Sequence, residues 1–237
     1  MKLITSGCSF TETLYNKTWP AWLSDFLKAE LINTGLGSQG NGLIAKKLIY
    51  NLSQLKSYDD VLVGVMWSGT DRGEQFTTNR KVKQTFQRRN VDGWQTNPSI
   101  FPANSAGAWI IHNVHWANIY SCDFYKNHDD IGAQINTLTD ILYIQSFLKS
   151  NNIRYFMSNY TQKTFLEDLG PDTEYLYNLI DFDYWLPVDG CHEWCRDNTT
   201  IPFCDDGWHP SRDQHKLFTE QVILPFIKDK YKIDRIN

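Results

Sequence analysis

The sequence predicts an α/β protein: a three-layer α/β/α sandwich around a parallel sheet. Two observations carry this. Short apolar runs recur at 2–6, 30–34, 60–66 and 153–158, each followed by polar or glycine-rich residues, as in strands buried on both faces. Between them lie stretches whose apolar residues repeat at helical spacing, and regular alternation of the two patterns implies helices on both faces of one sheet.

The elements follow in order. Leu3 and Ile4 start the first strand, and Gly7 after it permits a sharp turn into Cys8-Ser9-Phe10-Thr11. "WPAWLSDFLKAE" places Trp19, Trp22, Leu23, Phe26 and Leu27 on one helix face. "ELINT" is the second strand, and "GLIAKKLIYNLSQL" gathers Leu43, Ile44, Leu48 and Leu52 on one face. "DVLVGVM" is the third strand; a long helix over 132–150 leads into the fourth, "IRYFMS". "SRDQHKLFTEQVILPFIKDKY" reads as a final helix that Pro225 kinks or breaks. The polar, Asn- and Trp-rich region of 72–130 interrupts the alternation. It is expected to be an insertion with its own helix near 106–121, of the kind that caps a site. The chain is read as a single domain, 1–237.

Composition narrows the function. With 41% hydrophobic and 21% charged residues the chain is an ordinary globular one, and its formal charge of −4 argues against a nucleic-acid-binding surface. No run approaches the ~20 apolar residues of a membrane span. "LITSGC" superficially resembles a lipoprotein cleavage site, but too few residues precede Cys8 for an apolar signal core. A cytoplasmic location is therefore expected, with release by lysis if the source is a phage.

An odd count of five cysteines does not suggest a disulfide framework. Cys191, Cys195 and Cys204 cluster beside His192, yet their spacing matches zinc sites poorly. Buried thiols or one local disulfide is the expectation, with no metal and no organic cofactor.

A serine past the end of a strand lies where open α/β sheets place ligands. A serine nucleophile needs a base, an orienter for it and donors for the oxyanion. "CDDGWHPSRD" offers Asp206 three residues before His209, so one loop supplies both base and orienter. Other readings stand beside this. Ser9 is also a good helix cap. Cys8 is the more reactive nucleophile as a thiolate, but neighbouring side chains near a strand end point to opposite sides. Asp205 is an alternative orienter. His112 and His115 share a helix spacing without partners for a metal, and His192 with Glu193 is similar.

Taken together, Gly7-x-Ser9, the glycine-rich "NTGLGSQGN", the turn "MWSGTDR" and Asp206-x-x-His209 resemble, in that order, the four blocks of the SGNH/GDSL hydrolase superfamily. The first block, "GCSFT", is similar to a branch found in bacteria and phages. The resemblance implies a flavodoxin-like sheet, with Ser9 as nucleophile, His209 as base and Asp206 as its orienter. It implies an oxyanion hole from the backbone N–H of Ser9, the backbone N–H of Ser38 at the family's glycine, and Thr70 at the family's asparagine. Two departures follow: Cys8 stands for the usual aspartate, and the asparagine is missing. Asn41, Trp67 and Trp208 are expected to contact substrate.

The function implied is a serine esterase releasing short acyl groups, acetyl above all, from a small-molecule or glycan ester. The alternative is an inactive member kept as a binding or structural protein, associated with a phage particle if the source is a phage. The run Arg80, Lys81, Lys83, Arg88 and Arg89 is expected to be a solvated face; Trp94, Trp109 and Trp116 are candidates to stack on sugars.

Overall fold

The computed structural model describes residues 1–14, 16–78, 94–95, 108–112, 124–162 and 169–233. The basic run from Arg80 to Arg89, together with His115 and Trp116, lies outside them.

Four parallel strands form the central sheet: β1 (Lys2–Gly7), β2 (Glu30–Asn33), β3 (Val61–Trp67) and β7 (Arg154–Asn159), in the order β2-β1-β3-β7. Because successive side chains point to opposite faces, each strand feeds two cores. Ile4, Val61, Val63, Val65, Tyr155 and Met157 face one side. There they meet Ile44, Leu48 and Leu52 of α2 (Asn41–Ser53) and Leu138, Ile141, Ile144 and Leu148 of α3 (Asp130–Ser150). Leu3, Leu62, Met66 and Phe156 face the other. They pack on Trp19 and Leu23 of α1 (Trp19–Leu27), on Cys191 and Cys195 of α5 (Cys191–Asn198), and on the C-terminal helix. Each such aliphatic side chain, fully buried, contributes roughly 1.5–3 kcal/mol. The three-layer sandwich read from the sequence is therefore the fold. A short α4 (Pro171–Tyr177) packs beside α3.

Local chemistry sets the ends. Asp129 caps α3 by accepting from Gly132 N–H at 2.8 Å. The last helix is entered through Ser211, whose backbone N–H donates to Gln214 Oε1 at 3.0 Å. It runs as α6 (Arg212–Phe218), a wider π turn (Thr219–Ile223) and α7 (Leu224–Tyr231). Pro225 thus neither breaks nor ends it. The π turn directly before it supplies the room that a proline ring needs inside a helix.

The expected helix near 106–121 is not what the described part of that range shows. Ala108–His112 is a strand, β6, paired antiparallel with β4 (Gly73–Thr77) and β5 (Trp94–Gln95). The "AWIIH" stretch is aromatic and β-branched, and such residues suit a pleated surface better than a helix. His112 accordingly sits on a strand rather than a helix face. It stacks on Phe124 with ring centroids 4.3 Å apart, and burial lowers its pKa to about 4. No described helix is long and apolar enough to cross a membrane.

Candidate active site

The strand order puts a topological switch between β1 and β3: the chain leaves β1 for β2 on one side and returns to β3 on the other. Loops leaving the carboxyl ends of such neighbours diverge and leave a crevice. Ser9 follows β1, Ser38 follows β2 and Thr70 follows β3, so all three lie along that edge.

Gly7 makes the first turn possible. A Cβ there would lie 2.1 Å from Thr11 Oγ1 and 2.8 Å from the Met66 carbonyl oxygen. The chain then tightens, with the N–H groups of Thr11 and Glu12 donating to the Cys8 carbonyl at 2.9 and 3.1 Å. Cys8 is fully buried with its thiol facing the Arg72 guanidinium, while Ser9 turns outward. The two adjacent residues do face opposite ways.

The other half comes from the loop before α6. Cys204 and His209 close it, the Cys204 N–H donating to the His209 carbonyl at 2.9 Å. Gly207, at φ 69°, takes the left-handed conformation inside the turn. Asp206 Oδ1 accepts the N–H groups of Trp208 and His209, both at 2.9 Å, and Oδ2 pairs with His209 Nδ1. Burial alone would raise the Asp206 carboxyl. The two N–H groups and the imidazole outweigh it and bring the pKa down to about 2. Of the two aspartates it is Asp206 that pairs with the imidazole.

The two halves meet across 200 residues of sequence: His209 Nε2 lies 2.8 Å from Ser9 Oγ. Phe10 packs against the imidazole, with ring centroids 5.2 Å apart, and Asn16 Nδ2 donates to the Pro210 carbonyl at 3.4 Å. An ionised carboxylate, an imidazole and a hydroxyl in hydrogen-bonded series can move a proton off the hydroxyl.

Neither the Ser9 N–H nor the Ser38 N–H has a hydrogen-bond partner among the described residues. Ser38 has φ 61°, a left-handed conformation more natural to glycine. Thr70 is half-buried on the turn after β3.

Beside this edge a cavity of about 500 Å³ opens between α2, β4 and α3. Thr70, Arg72, Lys46, Glu74, Asn136 and Asp140 are among its lining residues. Lys46 donates to Glu74 at 3.0 Å. Burial raises the Asp140 pKa to about 6, Lys46 opposing and Glu74 adding to the shift.

The remaining expectations divide. Trp208 is 44% exposed and stacked on His192 beside the candidate site, where it remains available to a ligand. Asn41 borders the cavity, but its amide is engaged: Oδ1 accepts the Ser68 N–H at 2.7 Å, and Nδ2 donates to the Ser68 carbonyl and to Thr137. Its role is to tie α2 to the end of β3. Trp67 is not a contact residue. It is fully buried in the core beneath α2 and α3, its indole N–H directed at Met157 Sδ, because position 67 continues the inward register of Val63 and Val65. Trp109 packs on Phe76 in the second sheet.

Cys8, Cys191, Cys195 and Cys204 are free thiols, so the three clustered cysteines form no disulfide with one another. Glu193 is tied to Thr161 and to the Gln162 N–H, and His192 Nδ1 lies 3.1 Å from the Trp208 carbonyl. Both are held by structural contacts. Two residues escaped notice in the sequence, Glu12 and Lys47. Glu12 accepts the Gly37 N–H at 2.8 Å, and Lys47 is buried on α2. The available signal was spacing: Lys47 is three residues after Ile44, on the apolar side of its helix.

Among solved structures the chain is similar to a member of the lipolytic protein G-D-S-L family from Veillonella parvula. The identity is 11% and the TM-score 0.47, over 98% of this chain and 99% of that one. It is also similar to an acetyl xylan esterase from the rumen bacterium Butyrivibrio proteoclasticus, with 11% identity, a TM-score of 0.39, and coverage of 98% of this chain and 64% of that one. No curated protein sequence matches it. The model of a family of unknown function, DUF6071, matches residues 5–237, and the chain belongs to that family.

Proposed function

We propose that the protein is a serine hydrolase of small carboxylic esters. The observation that carries the reading is the 2.8 Å approach of His209 Nε2 to Ser9 Oγ, with the ionised Asp206 on the other imidazole nitrogen. Residues so far apart in sequence have no local reason to meet.

In this reading Ser9 Oγ attacks the ester carbonyl as His209 Nε2 takes its proton. Asp206 keeps the proton on Nδ1 and balances the imidazolium charge. The negative oxygen of the tetrahedral intermediate is met by the N–H groups of Ser9 and Ser38, with the Thr70 hydroxyl as a third donor. The alkoxide departs with the proton from His209, leaving the acyl group on Ser9. Water, deprotonated by His209, then attacks the acyl carbonyl. The carboxylic acid leaves and Ser9 recovers its proton.

The polar, charge-paired cavity beside Thr70 supports an alcohol portion rich in hydroxyl groups, and a short acyl group such as acetyl on a sugar suits it best. The chemistry needs no metal or organic cofactor.

Fluorophosphonate labelling of the intact protein, Ser9→Ala and His209→Ala tests the reading. Labelling of the intact protein alone is expected. A folded intact protein that takes no label would refute it and favour a binding protein built on the same fold.

A further inference from the structure

The turn that carries Ser38 is fixed at both ends. Leu36 N–H donates to the Gly7 carbonyl at 3.1 Å, and Gln39 N–H donates to Leu36 at 3.3 Å. Between those tethers, one described side chain hydrogen-bonds to the Gly37–Ser38 segment. Glu12 Oε2 accepts the Gly37 N–H at 2.8 Å.

Glu12 is itself held tightly. Its N–H donates to the Cys8 carbonyl, and its own carbonyl accepts the Thr18 hydroxyl at 3.1 Å. Its carboxylate therefore joins the loop bearing Ser9 to the loop bearing Ser38. Lys47 of α2 is only 3% exposed, its Nζ has no hydrogen-bond partner among the described residues, and its charge acts on Glu12 without an ion pair between them. Burial brings the Lys47 ammonium down to about 7, while the charge of Glu12 resists the fall. Burial raises the Glu12 carboxyl, with the Gly37 N–H and Lys47 pulling against it.

Burying a lysine without hydrogen bonds is costly unless a charge compensates it. A hydrophobic residue at position 47 would fill the apolar face of α2 without that cost. What the lysine adds is a positive charge whose pull on the Glu12 carboxylate opposes the effect of burial.

We propose that Glu12, through its bond to the Gly37 N–H, is a positioning residue that helps aim the Ser38 N–H at the developing oxyanion. The inference rests on the assignment of Ser9 as nucleophile. Glu12 touches no reacting atom. By fixing the Leu36–Gly37 peptide, one step ahead of the peptide that carries the Ser38 N–H, it restricts the directions that donor can take relative to Ser9. An oxyanion donor is valuable only when aimed at the position of the charge in the transition state. Losing that aim therefore lowers kcat more than it changes KM.

The test is steady-state hydrolysis of p-nitrophenyl acetate by the intact protein, Glu12→Ala, and the double variant Glu12→Gln/Lys47→Met. The double variant keeps an acceptor for the Gly37 N–H and removes both charges. Glu12→Ala is expected to lower kcat by roughly 10- to 100-fold, below the ~100- to 1000-fold of a fully lost donor, with KM within a few-fold. The double variant is expected to recover most of that loss. In parallel, the Gly37 amide proton resonance should lie downfield in the intact protein and move upfield in Glu12→Ala.

Unchanged kcat in a folded Glu12→Ala protein, or an equal loss in the double variant, overturns the proposal while leaving Ser9 as nucleophile. Hydrolysis that survives Ser9→Ala overturns the Ser9 assignment and this inference with it. Should Glu12→Ala fail to fold, the double variant decides. Activity near that of the intact protein, with the Gly37 resonance still downfield, supports the proposal, and loss of both refutes it.

Discussion

Replacing Asp206 by asparagine changes one atom and is expected to remove nearly all activity. Asp206 Oδ1 accepts two backbone N–H groups, from Trp208 and His209. An asparagine must keep its carbonyl oxygen there, because the flipped amide would set its NH₂ against both donors. Its NH₂ then faces His209 Nδ1 and requires that nitrogen to accept. The imidazole proton moves to Nε2, the nitrogen 2.8 Å from Ser9 Oγ. In that tautomer His209 has no lone pair for the serine proton. The structure thus favours the inactive tautomer in Asp206→Asn. The loss expected for a triad with its histidine so reversed is about 10³- to 10⁴-fold in kcat, or roughly 4–5.5 kcal/mol in the barrier. Both backbone hydrogen bonds survive, so the melting temperature should stay near that of the intact protein. The assay is p-nitrophenyl acetate hydrolysis with a thermal melt of the same sample. Activity within ten-fold of the intact protein, in a folded variant, would refute this account of Asp206.

Ser38→Gly should leave kcat within a few-fold, because the backbone N–H remains and φ 61° suits glycine; a loss of a hundred-fold would show that the side chain itself acts. His215 gives a pH dependence of stability. It is fully buried, and burial, aided by the charge of His209, lowers its pKa to about 3. Below the ordinary value near 6.5 the unfolded chain takes up a proton that the folded chain refuses. Stability should therefore fall as pH drops from about 6.5 to 3, by up to roughly 1.4 kcal/mol per unit. Urea denaturation of His215→Gln over that range should show a shallower slope; an unchanged slope would count against a neutral buried imidazole.

How much of this was legible in the sequence depends on what each residue reports. Val61–Trp67 reads as a strand because every position is apolar, and burial on both faces leaves no ambiguity. The motif pair Asp206 and His209 was legible because their hydrogen bond is local, three residues apart. The meeting of His209 with Ser9 followed only from the order of the blocks. Trp67 was misassigned because sequence gives the strand but not which face each position takes at its end; register with Met157 decides that. The second sheet was illegible for another reason. Its strands are short, and β4 is polar with two exposed positions, Gln75 and Phe76. Such a strand is defined by its partner more than by its own pattern. Lys47 hid because a lysine on a helix is ordinarily solvated, and only its burial in the folded protein gives it another meaning.

The span between Ser9 and His209 has a consequence for how the molecule comes into being. A contact across 200 residues closes a long loop, whose entropic cost rises slowly with its length and must be offset by the packing between its ends. The first strand-to-helix turn and the loop before the last helix are brought together only by the elements packed between them. The proposed chemistry therefore needs both ends of the chain in place. In the proposed reading, a chain in which these two loops have not met holds a serine without its base.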